Sequence, residues 1–168
     1  MVNFFFSNIK RNSKKFIFCL DTSFIEGTIL KLIQKGNWNI DIKEDKRLNE
    51  LNSKSCLLLI NDINIYEIKN KLLREFNLPL SKIDEVYRNS ILKFNNIKYV
   101  SIGDIKINHP FVNWLLKHKL SLEDGLLINI AQRLELPFVT SERKAKIWKD
   151  AYKGVMSQEE FWDELRKI

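Results

Sequence analysis

A chain of 168 residues with 45% hydrophobic and 29% charged side chains has the size and balance of one globular domain with its own core. No apolar run approaches the roughly 20 residues that cross a bilayer, and the start, MVNFFFSNIKRNSKK, lacks the layout of a secretory signal. A net charge of +7 and a pI near 9.4 favour a polyanionic partner such as RNA or DNA without deciding it. Cys19 and Cys56 both fall in apolar runs of strand length and read as buried thiols, which fits a cytoplasmic protein.

Residues 1–15 form a basic leader with Lys10, Arg11, Lys14 and Lys15 and no acid. Phe16 to Leu20 (FIFCL) is a continuous apolar run, as expected for a strand covered on both faces. It ends at Asp21, followed by Thr22, Ser23 and a helical pattern through Ile25, Ile29, Leu30 and Ile33 to Gly36. Asp21 suits a helix cap as well as it suits a functional rim. A short helix is expected around Glu44 to Leu51, then a second buried strand, Cys56 to Ile60 (CLLLI). Asn61 and Asp62 open the next helix, on which Glu67 lies beside an apolar face. A carboxylate there is costly unless paired or bound to a cation, and the plainer alternative is an exposed Glu67 bridging Lys71.

Pro79 and Ser81 punctuate the chain before the amphipathic segment SKIDEVYRNSILKF, and Ile97 to Ile102 reads as a third strand. A helix is expected from His109 to Leu120, with Pro110 tolerated in its first turn. His109 and His118 have no metal-ligand spacing and read as packing or surface residues. The segment Ser121 to Lys144 carries the next helix, with Leu126, Leu127, Ile130, Ala131 and Leu134 on its apolar face and Asp124 near its start. Pro137 to Thr140 (PFVT) is a short buried strand with Glu142 just past its carboxyl end. A basic amphipathic segment follows, with Arg143, Lys144, Lys146, Lys149 and Lys153, and Ser157-Gln158-Glu159-Glu160 is a capping box before a last helix. The basic residues are placed to grip phosphates, or are simply the solvated face of a helix.

Strands alternating with helices predict an α/β fold, a three-layer α/β/α sandwich around a mainly parallel sheet over residues 16–168. There is no GxGxxG or GxxxxGK[ST] loop, which disfavours the nucleotide-binding folds of those kinds. Asp21 and Glu142 follow strands, Asp124 opens a helix and Glu67 can reach the same rim. Carboxylates gathered so closely repel one another without cations. Hard oxygen ligands suit Mg²⁺ or Mn²⁺, which in turn suits hydrolysis by metal-activated water.

At these residues the chain resembles the PIN-domain family of nucleases. The similarity rests on Asp21-Thr22-Ser23 after the first strand, Glu67 in NIYEIKNKL, Asp124 in LEDGLLINIAQRLELP, Thr140-Ser141-Glu142 at a strand end, and the closing helix MSQEEFWDEL. It departs at Glu142, where the family usually has Asp; Glu reaches one methylene further. The resemblance implies a metal-dependent endoribonuclease leaving 5′-phosphate and 3′-hydroxyl ends, with Asp21, Glu67, Asp124 and Glu142 holding Mg²⁺ or Mn²⁺. Thr140 and Ser23 would steady a ligand or cap their own elements, and Arg143, Lys144 and Lys146 would bind RNA. Within the family a VapC-like toxin, with an antitoxin partner and a homodimer, is the commonest role, and an RNA-processing nuclease is the next. The other class of reading is a catalytically weak PIN-like module that binds RNA or protein.

Overall fold

The structure, a computed structural model, describes residues 16–30, 45–53, 56–101 and 107–167. The basic leader, the stretch that the sequence continues as a helix to Gly36, and the end of the expected third strand at Ile102 lie outside the described residues. Five strands form one sheet: β1 (Phe16–Leu20), β2 (Cys56–Ile60), β3 (Ile97–Tyr99), β4 (Phe138–Thr140) and β5 (Val155–Ser157). Their order is β3-β2-β1-β4-β5, and every pairing is parallel.

Eight helices are described: α1 (Thr22–Thr28), α2 (Lys46–Ser53), α3 (Asp62–Arg74), α4 (Leu80–Ser90), α5 (His109–His118), α6 (Leu122–Leu134), α7 (Glu142–Trp148) and α8 (Gln158–Arg166). They cover both faces of the sheet. Along β1 and β2 alternate residues enter different cores, because successive side chains of a strand point to opposite faces. Phe18, Leu20, Leu58 and Ile60 pack with α1, α2, α3, α4 and α8. Cys19, Leu57 and Leu59 pack with α6 and α7 on the other face. This is the expected three-layer α/β/α sandwich, and it explains why FIFCL and CLLLI carry no polar alternation.

Several details differ from the sequence expectation: β3 ends at Tyr99 rather than running on through Val100 and Ser101, and the helix expected over Ser81 to Phe94 ends at Ser90. The helix expected to reach Leu120 stops at His118, because Lys119 adopts a left-handed conformation (φ 53°) that ends it. The helix expected around Glu44 to Leu51 runs instead from Lys46 to Ser53, and Asp45 accepts from the Leu48 amide at 3.0 Å. Leu126 is only half-buried on α6, whereas Ile128 is fully buried. β5 is a strand where the sequence suggests only a helix cap: Ser157 ends the strand and also caps α8. Cys19 and Cys56 are both buried, and burial pushes the Cys19 thiol up to about 12, so it carries no thiolate at neutral pH.

The strand order places the site. From β1 the chain moves outward to β2 and β3, then returns across the sheet to β4 on the other side of β1. The reversal makes the carboxyl ends of β1 and β4 a topological switch point, where open α/β sheets bind ligands.

Candidate functional site at the β1–β4 switch point

Asp21 occupies that point. It is 1% exposed, and it leaves β1 in an extended conformation to become the residue before α1. Its side chain makes no hydrogen bond to the helix amides, so capping does not explain it. Instead its Oδ2 accepts from the Ser23 hydroxyl and, at 2.6 Å, from the Thr140 hydroxyl at the end of β4. Ser23 Oγ in turn accepts from the Ser141 amide at 3.2 Å, joining the start of α1 to the strand end across the switch point. Thr140 and Ser23 are thus carboxylate holders.

Glu67 reaches the same place from α3. It is half-buried and accepts from the Thr22 hydroxyl. The alternative that Glu67 bridges Lys71 is overturned, because Lys71 pairs with Glu26 at 2.8 Å and with Glu75 at 3.4 Å. Burial is the main cause that raises the Glu67 pKa; the Thr22 hydroxyl opposes it, the Asp21 and Asp124 charges add to the rise, and Lys144 offsets part. A raised folded-state pKa means stability that is present below the unfolded-state value and lost as pH rises through the folded one. In EDTA, Glu67→Gln is therefore expected to gain stability relative to wild type between pH 4 and pH 7, measured as urea midpoints. A difference that shrinks with rising pH would contradict the assignment.

Asp124 arrives from the first turn of α6, whose cap is Ser121 accepting from the Asp124 amide at 3.0 Å. Glu123, the other acid of that turn, is exposed. The Asp124 Oδ1 accepts from Lys144 Nζ at 3.1 Å, and the same ammonium lies 3.7 Å from Asp21 Oδ2. Lys144 also sits over the Trp148 ring, 4.8 Å from its centroid. Burial works to lower the Lys144 pKa, but the charges of Asp21, Asp124 and Glu67 and the Asp124 hydrogen bond outweigh it, and the net shift is upward. Lys144 is therefore turned into the site, whereas Arg143 and Lys146, grouped with it in the sequence, are exposed. Glu142 is the first residue of α7, directly past β4, and its side chain lies outside the described residues.

One contributor is absent from the sequence reading. Asn64 is fully buried on α3, and its Nδ2 donates to Leu20 O at 3.1 Å and Thr22 Oγ1 at 3.0 Å. Its Oδ1 accepts from the Asn61 amide at 2.9 Å, closing a capping box. The signal was available as Asn61-x-x-Asn64, a variant of the usual Ser/Thr-x-x-Glu box. Asn64→Ala orphans a strand carbonyl and a cap and leaves a void, so it is expected to cost about 2 kcal/mol in urea denaturation. A loss under about 0.5 kcal/mol would show that water replaces the amide.

Among the described residues no group of three or more His, Cys, Asp or Glu side chains is close enough to hold a metal by itself. Mg²⁺ commonly takes only one or two carboxylates and completes its shell with water. Asp21 and Asp124, which share one ammonium across a short gap, fit that pattern.

No protein-family model matches the chain, and no curated protein matches it. Among solved structures, the crystal structure of PAE2754 from Pyrobaculum aerophilum superposes with a TM-score of 0.56 at 17% identity, over 92% of this chain and 99% of that one. The likeness establishes a shared fold along nearly the whole length of both. Among the described residues, no helix is long and apolar enough to cross a membrane.

Proposed function

We propose that the protein is a metal-dependent endoribonuclease of the PIN type, hydrolysing RNA phosphodiester bonds. The observation that supports this most is the pair of carboxylates at the switch point, Asp21 and Asp124, which share the Lys144 ammonium, with the Glu67 charge within electrostatic reach of both. Asp21 and Asp124 would hold Mg²⁺ or Mn²⁺ directly, with Glu67 and Glu142 acting beside them or through water. Bound there, the ion would lower the pKa of a bound water and supply positive charge for the oxygens of the breaking bond.

The protein's own groups set the geometry. Ser23 and Thr140 fix the Asp21 carboxylate by donating to one oxygen, which leaves the other edge of the carboxylate for a cation. Thr22, itself held by Asn64, fixes Glu67. Arg143 and Lys146, exposed on α7, suit phosphate contacts, which would make binding fall steeply with salt.

The test is cleavage of a mixed structured RNA by purified protein with Mn²⁺, with Mg²⁺ or with EDTA. Cleavage that needs metal supports the reading; RNA intact under every condition removes it. A second reading, an RNA- or protein-binding module with weak catalysis, is favoured by Lys144, which already neutralises part of the acidic cluster. Tight RNA binding in EDTA without cleavage in Mn²⁺ would select it. The roles of VapC-like toxin and RNA-processing nuclease rest on the family resemblance. Growth arrest on expression, relieved by an antitoxin protein, together with a homodimer in solution, would select the toxin.

A further inference from the structure

Lys144 is a basic side chain in the middle of an acidic site, and its neighbours account for its position. It lies on the inward side of α7, one helical turn before Trp148, and Ala145 and Trp148 of the same helix are buried in the core. The Trp148 ring, itself packed on Phe138 of β4, supports the ammonium from below. From there Nζ faces Asp124 at 3.1 Å and Asp21 at 3.7 Å, with the Glu67 charge also within reach.

We propose that the Lys144 ammonium is the built-in counter-cation of this site: it stands between Asp21 and Asp124, competes with a divalent ion for both, and is displaced toward solvent when the ion enters. The inference rests on the metal-site reading above and adds a control to it. Two carboxylates with a cation between them hold together without metal. An arriving divalent ion must then overcome the attraction of Lys144 for the same two carboxylates, and the ammonium and the ion repel each other at such separations. The site would fill only when the ion is plentiful, and the displaced Lys144 becomes free to meet an RNA phosphate.

The experiment is Mn²⁺ titration calorimetry on wild type, Lys144→Met and Lys144→Arg, with melting curves of all three in EDTA. Methionine keeps the apolar stem against Trp148 and removes the charge. Lys144→Met is expected to bind Mn²⁺ about tenfold more tightly than wild type and to melt at a lower temperature in EDTA. Lys144→Arg is expected to stay near wild type in both. A purely structural role would lower the melting temperature without tightening Mn²⁺ binding. Mn²⁺ affinity in Lys144→Met equal to or weaker than that of a wild type which itself binds would sink this inference alone. If neither wild type nor Lys144→Met takes up Mn²⁺, the inference and the metal-site reading fall together.

Discussion

Asp21→Asn is expected to reduce metal-dependent RNA cleavage by at least about 100-fold while the protein stays folded. Asparagine has nearly the same shape, and its amide oxygen can still accept from Ser23 or Thr140, so the hydroxyl network at the switch point survives in part. What disappears is a buried negative charge that, among the described residues, one ammonium faces within 4 Å. That charge repels Glu67, so losing it relieves strain in the absence of metal and removes the strongest attraction for a cation. Two measurements separate these effects. In EDTA the variant should melt at or above the wild-type temperature. Mn²⁺ at about 100 times its dissociation constant should stabilise wild type by about 2.7 kcal/mol and leave Asp21→Asn unmoved. Wild-type cleavage by Asp21→Asn would remove Asp21 from the chemistry whatever its position.

Phe161→Ala should give the largest loss of stability of any single change considered. Phe161 opens no site, but it is fully buried and its ring meets Phe18 and Phe24 edge-on, each at 5.0 Å between centroids. Those two residues lie three before and three after Asp21, on β1 and α1. The closing helix thus clamps the strand and the helix that flank the key carboxylate. Truncating a buried Phe costs about 3–5 kcal/mol, and for a domain of this size each kcal/mol lowers the melting temperature by about 2–4 °C. The variant is therefore expected to melt about 10 °C lower. Phe161→Leu, which keeps most of the volume, should lose much less. A small loss in Phe161→Ala would mean that α8 repacks or is dispensable, and the clamp on Asp21 would have to be abandoned.

What the sequence disclosed follows from the range of the forces involved. β1 and β2 were readable because a strand buried on both faces must be apolar throughout. Their carboxyl ends then placed Asp21 with no knowledge of its neighbours. Asp124 and Glu67 were readable as acids at or beside apolar helix faces, which are costly places to leave a charge alone. β5 was not readable: three residues have no usable period, and Ser157 looks like a cap because it is one. Lys144 was grouped with Arg143 and Lys146 because all three are basic. The periodicity of α7 held a clue, since Lys144 falls one turn before Trp148 and next to Ala145, on the side that packs inward. Its partners, Asp21 just past β1 and Asp124 on α6, are distant in sequence, and no local pattern encodes that meeting. The same holds for Asn64, which binds the backbone of β1 from α3.

The return of the chain from β3 across the sheet to β4 also sets the order in which the molecule can be built. Asp21 and Thr140, joined by one hydrogen bond, are 119 residues apart. On a ribosome adding roughly 5–20 residues per second, about 6 to 24 s separate their synthesis. Pairings of such long range are also the slow ones in folding, because the intervening loop must close first. Late in that interval the nascent polypeptide holds Asp21, Glu67 and then Asp124 but has neither Thr140 nor Lys144 to set against them. On the nuclease reading proposed above, the centre would stay incomplete on the ribosome until Thr140 and Lys144 have been made.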